Sequence, residues 1–343
     1  MAAEGLLHLT MALTGDVMLG RGVNETIRAR GFEYPWGDVL PTLRQADLRL
    51  INLECALTSQ TREWHDGGYK AFYFRADPGV VATLDAAGID FVSLANNHAG
   101  DFGTEGLAET LVVLDRAGIA HGGAGPNLAA ARAPARFEKN GLRVAVVSFA
   151  DYPSTWAADE TTPGINYTPV SLDTPVVRSV DDAIAEARRD ADVLVFSIHW
   201  GPNMRARPTE AFRAFARHVV DAGADIFWGH SAHVVQGIEA WHGKLILYDT
   251  GDFIDDYMVD PDLRNDLSGI FLVGCCESKV EDVRLVPTLI TDNQARLATG
   301  DERQWFLQRV AALSRELGTR VVTDHGVLRV EAGNSVLRRA RSD

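Results

Sequence analysis

Five residues of metal-ligating type, Asp16, Glu54, Asn97, His199 and His230, each stand at the carboxyl end of a run of strand-forming residues. In open α/β sheets that edge is where ligands bind. Each has an ordinary explanation when taken alone. An aspartate after a strand caps a helix or closes a turn, and a histidine is usually a satisfied polar group. Five at one edge point to a shared site. The stretch "WGHSAHV" (228–234) adds His233, three residues after His230, with Gly229 freeing the backbone for a sharp turn. Imidazoles suit Zn, Fe, Mn or Ni, and carboxylates and amide oxygens suit harder ions, so this mixed set fits one or two borderline divalent cations. Two ions roughly 3.5–4 Å apart need a bridging carboxylate, for which Glu54 is the candidate. The stretch "FVSLANNHAGDFG" (91–103) ends an apolar run in Asn96, Asn97, His98 and Asp101, which reads either as a turn or as part of the metal site.

The elements that must position these residues alternate between strand-length apolar runs and helix-length amphipathic segments, the pattern of an α/β layered domain. "LTMALTGD", "DLRLINLE", "IDFVSLAN", "DVLVFSIHWG" and "ADIFWGH" read as strands. "PGVVATLDAAG", "GTEGLAETLVVLDRAG", "DDAIAEARRDA" and "TEAFRAFARHVVDAG" read as the helices between them, several closed by glycine. "RFEKNGLRVAVVSFA" predicts a hairpin turning at Asn140-Gly141. Beyond 234 successive β segments follow, and "DERQWFLQRVAALSREL" predicts a last helix. Residues 151–178 carry four prolines and no helical or strand period, as expected of a lid or a surface excursion.

The chain has 343 residues, 46% of them hydrophobic, enough for a substantial core. A net charge of -14 argues against nucleic acid as a partner, because neutralising phosphates needs a basic surface. Three cysteines, two of them adjacent, build no disulfide framework and suit a reducing compartment. The amino terminus lacks a basic segment followed by a continuous apolar one, and no stretch approaches the roughly 20 apolar residues of a membrane span. A cytoplasmic protein without a membrane segment is expected.

Taken in order, "TGDVMLGRGV", "INLECALT", "SLANNHAGD", "SIHWG", "GHSAHV" and "YDTGDF" resemble the serial motifs of CapA-type proteins, associated with poly-γ-glutamate capsule synthesis and belonging to the calcineurin-like metallophosphoesterase superfamily. The resemblance runs from about residue 10 to about residue 270. It implies a four-layer α/β/β/α sandwich of two mixed β-sheets flanked by helices, in a domain spanning 6–290, with 291–343 a C-terminal helical and β extension packed on it. It also implies metal ligands. Asp16, Glu54 and His233 would serve one ion, with Glu54 where the superfamily has a bridging aspartate. Asn97, His199 and His230 would serve the other. His98 would stand beside the metals as proton donor or transition-state stabiliser, oriented by Asp101. Met18 occupies the position of the histidine in the superfamily's Asp-x-His motif, and a thioether is a poor ligand for a hard ion, so Met18 is expected in the core.

Basic residues near these motifs are candidates for binding an anionic substrate: Arg21, Lys70 and Arg205, whereas Arg207 reads as a solvated surface charge. In the acidic stretch from 249 to 266, Asp249 or Asp252 is the candidate to orient a metal-bound histidine. Cys55, beside Glu54, reads as a packed small residue. The expected function is a metal-dependent hydrolase using one or two divalent ions (Mn, Fe or Zn). Activated water would attack a phosphoester or a γ-glutamyl or peptide-like amide in a small or polymeric anionic substrate. The alternative is a non-catalytic or weakly catalytic protein that binds an anionic polymer or a partner in poly-γ-glutamate-type biosynthesis.

Overall fold

Along the strand His8–Val17, Leu9, Met11 and Leu13 are buried on one face and Ala12 and Val17 on the other. A strand apolar on both faces needs a covering layer on each side. The computed structural model, which describes residues 6–65 and 70–331, supplies them. A ten-stranded mixed sheet runs in the order Arg320–Asp324, Val327–Glu331, Lys279–Thr291, Leu267–Cys276, His8–Val17, Leu48–Leu53, Phe91–Ser93, Ala120–Gly122. Asp252–Ile254 pairs in parallel with the end of His8–Val17, and Gln294–Leu297 pairs with Lys279–Thr291. A six-stranded mixed sheet runs Ile238–Trp241, Lys244–Leu247, Ile226–His230, Val193–His199, Leu142–Ala150, Ala135–Lys139.

The two sheets face each other across one core, where Leu9, Met11, Leu13 and Leu50 of the first meet Val144, Val146, Val195 and Trp228 of the second. On the outer face of the first sheet, Ala12, Ile51 and Val92 pack with Val23 and Ile27 of the helix Arg21–Arg30, Leu84 of Val81–Ala87 and Leu114 of Gly103–Ala117. On the outer face of the second, Val147, Phe196 and Phe227 pack with Ile184 and with Phe215 and Val219 of the helix Glu210–Asp221. This is the four-layer α/β/β/α sandwich expected. Each such aliphatic side chain taken from water stabilises the packing by roughly 1.5–3 kcal/mol.

Local sequence explains the joints. Gly88 and Gly118 end their helices with left-handed φ of +68° and +70°. Asn140 and Gly141, with φ of +52° and +79°, close the expected hairpin between Ala135–Lys139 and Leu142–Ala150. Thr209 caps Glu210–Asp221 by accepting the Phe212 N–H. The stretch 151–178 is more ordered than expected. It holds a 3-10 turn at Ser154–Trp156, a short strand Gly164–Ile165 paired with Ala124–Gly125, and the first turn of a helix Thr174–Arg188. That helix begins seven residues before the expected start at Asp181, because Pro175 sits in its first turn, where a missing N–H costs nothing.

Beyond 290 the helix Gly300–Glu316 inserts Phe306, Leu307 and Val310 into the core between the sheets, and the hairpin Arg320–Asp324/Val327–Glu331 extends the larger sheet. Residues 332–343 of the expected extension lie outside the described residues. Among the described residues no helix is long and apolar enough to cross a membrane.

Candidate metal centre

The register of the two sheets brings the polar strand ends together. In the larger sheet Asp16 lies abreast of Asn52 on one side and of Asp252 on the other. In the smaller sheet His199 lies abreast of His230. The ladder is irregular at Asp16, and a Cβ on Gly15 would overlap the Gly251 carbonyl, so only glycine lets these backbones close on each other there. Gly229 has the same cause, overlap with the Tyr248 carbonyl, rather than the turn flexibility expected of it. The turn itself is carried by Ser231 and His233, at φ of +114° and +61°, a conformation side chains rarely adopt. Asp249 holds it, accepting the Ala232 N–H at 2.7 Å and the Gly251 N–H at 2.8 Å.

Two groups of ligand atoms result, each with its atoms within 4.8 Å of one another: Asp16, His199 and His230, and Asp16, Glu54, His233 and Asp252. Asp16 is common to both. Glu54 Oε1 also reaches within 3.8 Å of His199 Nε2, so two carboxylates lie between the groups rather than Glu54 alone. Asp252, expected only to orient a histidine, does accept from His233 Nδ1 at 2.7 Å and also stands among the ligand atoms. Asp249 touches no histidine side chain and orients the loop between His230 and His233 instead. Asn97 turns a buried Oδ1 without a partner into the same cleft wall as His98 and His199.

Metal is implied by the chemistry of this set. Asp16 Oδ2, Glu54 Oε1, Asp252 Oδ2, Asn97 Oδ1 and His199 Nε2 are all buried without a hydrogen-bond partner, and polar atoms in that state are costly unless something binds them. Burial, then Glu54, pushes the Asp16 carboxyl well above its ordinary range, and burial raises Glu54 as well. Burial drives His230 down to about 3 and, with its histidine neighbours, His199 well below its ordinary value, so both imidazoles are neutral and fit to ligate. His233 goes the other way: burial opposes its charge, but Asp252, Glu54 and Asp16 outweigh it. A divalent cation would neutralise these carboxylates and fill the lone pairs; the residues present fit one.

Supporting contacts fix each group. Asn52 donates to Asp16 Oδ1 at 2.7 Å, and Asn96 donates to Asn52 Oδ1 at 3.1 Å and accepts the His98 N–H at 3.0 Å. Ser197 Oγ meets His230 Nε2 at 2.9 Å, leaving Nδ1 to face Asp16 at 3.9 Å. Tyr257 donates to Glu54 Oε2 at 3.0 Å. His98 stacks on Phe74 at 3.9 Å, binds Asp101 through Nδ1 at 2.7 Å, and directs Nε2 toward Glu54 at 3.9 Å. Asp101 is itself fully buried and accepts the Phe74 N–H at 2.6 Å.

The expected basic pocket is rearranged. Lys70 Nζ lies 2.5 Å from both Asp101 Oδ1 and the Asn97 carbonyl and 4.6 Å from the centre of the Trp156 ring, so its ammonium braces the His98–Asp101 pair while lining the cleft. Arg21 lines the cleft over the rings of Phe72 and Phe74, each 5.6 Å away, with one edge on Asp256. Arg205 is exposed and outside the cleft wall, where Asn203 and Met204 take its place. Arg207 pairs with Glu316 at the surface. Met18 is buried in the core, its sulfur accepting the Gly20 N–H. Cys55 is fully buried, with its thiol pushed up to about 12 by burial. Sequence reasoning missed Asn52, Tyr257, Ser197 and Asp151. Asn52 carried a signal as the lone amide in the apolar strand Leu48–Leu53; the other three carried none.

Above the ligands the cleft has two halves, of about 410 and about 350 Å³, which share Phe72, His98 and Asn203. The first is bounded by Lys70, Asp151 and Trp156, the second by Arg21, His233 and Tyr257.

Residues 10–257 match the family described as "Bacterial capsule synthesis protein PGA_cap". A probable polyglutamine synthesis accessory protein of Mycobacterium tuberculosis is 31% identical, over 92% of this chain and 93% of its own. The capsule biosynthesis protein CapA of Bacillus anthracis is 30% identical, over 72% of this chain and 60% of its own. The PGA biosynthesis protein CapA of Bacillus subtilis is 31% identical, over 72% and 63%. Among solved structures, a purple acid phosphatase from yellow lupin seeds aligns over 85% of this chain and 52% of its own at 8% identity, with a TM-score of 0.38, too slight a likeness to bear on function. With its motifs in order along the strand ends and a match across most of its length, this chain belongs to the CapA-type bacterial capsule synthesis family.

Proposed function

We propose that the protein is a metal-dependent hydrolase. The observation that carries this reading is the convergence of buried, unpartnered carboxylate, amide and imidazole atoms from both sheets, with a carboxylate-oriented histidine beside them. Asp16, Glu54, His233 and Asp252 would hold one divalent ion, and Asp16, Asn97, His199 and His230 a second. Such ions activate water near neutral pH and polarise a phosphoryl or acyl oxygen. His98 would give the leaving group its proton from Nε2, with Asp101 fixing the tautomer and Lys70 fixing Asp101. Arg21 would attract a negative group at the far side of the cleft. The bond cleaved would be a phosphoester or a γ-glutamyl or peptide-like amide. The three cysteines, all free and buried, support a reducing, cytoplasmic setting.

A second reading has one observation behind it. The Met18 sulfur is engaged by Gly20 and replaces a histidine of the superfamily motif, which fits a site retained for binding without turnover. Together with the names of the relatives, it would make the protein a binder of an anionic polymer or of a partner in poly-γ-glutamate-type synthesis. The deciding experiment is metal analysis by inductively coupled plasma mass spectrometry on untagged protein, wild type and His230→Ala, followed by a hydrolase screen with the ion found. One or two equivalents in wild type, fewer in the variant, and turnover of an ester or amide are expected. A wild-type protein that takes up no Mn, Fe or Zn on dialysis ends the metal reading, and metal without turnover selects the binder.

A further inference from the structure

Charge is uneven across the cleft. In the half beside His98 and His199, the Lys70 ammonium is engaged by Asp101 and the Asn97 carbonyl. Asp151 is different. It is the first residue beyond the strand Leu142–Ala150, with its N–H on the His199 carbonyl at 3.1 Å, so it stands at the same sheet edge as the ligands. Its carboxylate accepts one N–H, from Gly201 at 2.9 Å, and no ion pair to it occurs among the described residues. The wall next to it is aromatic: Tyr152, which is 63% exposed, and Trp156, whose ring meets Trp64 edge-to-face at 5.2 Å and already holds the Lys70 ammonium at 4.6 Å. An uncompensated carboxylate beside aromatic rings repels an anion and attracts a cation.

We propose that this half of the cleft receives a primary ammonium group of the substrate, with Asp151 as its counter-charge and the exposed ring of Tyr152 beside it. The proposal rests on the hydrolase reading and narrows it: the substrate is an amide of an amino acid whose amine is free, rather than a simple phosphoester. His98 lines both halves, so the ammonium half adjoins the scissile group. An N-acylated substrate loses both the charge and the fit.

The test measures binding separately from turnover. Isothermal titration on the metal-loaded full chain at neutral pH compares two ligands, the ketomethylene analogue of L-glutamic acid γ-anilide, which cannot be hydrolysed, and its N-acetyl derivative. Wild type is expected to prefer the free amine by about tenfold or more, the strength of one desolvated charge contact. Asp151→Asn, which keeps an acceptor for the Gly201 N–H, abolishes the preference, with metal content checking that the site is intact. Tyr152→Ala, on the exposed side of the same wall, narrows it. Equal affinities in wild type, binding of neither ligand, or a preference that survives Asp151→Asn overturns the proposal. If the preference holds but the anilide itself is never hydrolysed, the hydrolase reading fails and the ammonium site stands.

Discussion

Asp16→Asn tests whether the centre is built around a cation. The substitution keeps the shape of the one side chain common to both ligand groups and removes its charge. Burial, followed by Glu54, holds the Asp16 carboxyl well above its ordinary range. Folding therefore favours its protonated form: that contribution is complete below the unfolded value near 4 and is lost as pH rises through the folded value. At pH 8 with no ion bound, the buried Asp16 carboxyl destabilises the fold in either protonation state, because in the unfolded chain it is ionised, and the amide relieves this by about 1–3 kcal/mol, the cost of a buried polar group without its partner. With unfolding entropy of roughly 2.1 cal/mol/K per residue over 343 residues, 1 kcal/mol moves Tm by only about 1.4 °C. The variant in chelator should then melt about 1–4 °C above wild type in chelator. Adding the native ion at about 100 times its Kd stabilises wild type by about 2.7 kcal/mol, or about 4 °C, and should leave the variant unmoved. Differential scanning calorimetry at pH 8, with and without ion, reads both effects. A variant that melts several degrees lower in chelator would show that the carboxylate is stabilising without an ion, and one that keeps the ion-induced shift would show that Asp16 is not a shared ligand; either result refutes the reasoning.

Two further outcomes are expected. Asp101→Asn should lower kcat by roughly 10²–10³, the lower part of the span for general acid–base catalysis, while metal content stays at the wild-type level. Loss of metal in that variant would move the His98–Asp101 pair from proton transfer to ligand support. Tyr257→Phe removes the hydroxyl that donates to Glu54 Oε2 and should weaken metal binding by about 10–100-fold in a chelator competition. An unchanged Kd would remove Tyr257 from the centre.

The candidate ligands on strand ends were legible because an apolar run that stops at a carboxylate or imidazole is visible in one dimension, and the sheet edge they share follows from the α/β pattern. Asp252 was not. Its place among the ligands depends on the short strand Asp252–Ile254 joining His8–Val17 in parallel, a pairing across more than two hundred residues inside a stretch crowded with other aspartates. Lys70 and Arg205 are placed otherwise than nearness to a motif suggests. Nearness to a motif says where a backbone is, but a long side chain turns to whichever partner is stronger, for Lys70 the buried Asp101 and for Arg205 the solvent. Gly229 was noticed for flexibility and is required for a close approach, because a glycine's cause lies in what packs against it.

If Met18 stands where the resemblance implies a histidine, Asp252 among the proposed ligands would have a chemical consequence. The group Asp16, Glu54, Asp252 and His233 offers three carboxylates and one imidazole, whereas Asp16, His199 and His230 offer one carboxylate and two neutral imidazoles, to which the proposed ligand Asn97 would add an amide. The first set carries more negative charge and harder donors, so on the proposed reading it would favour Mn or Fe, and the second a borderline ion such as Zn. Tyr257 sharpens the contrast, since its hydroxyl on Glu54 withdraws charge from one oxygen and leaves Oε1, the unpartnered one, directed between the two groups. On the proposed reading the fold would hold two unequal positions around a shared Asp16, and a methionine in place of one ligand histidine would change the preference of one position without dismantling the other.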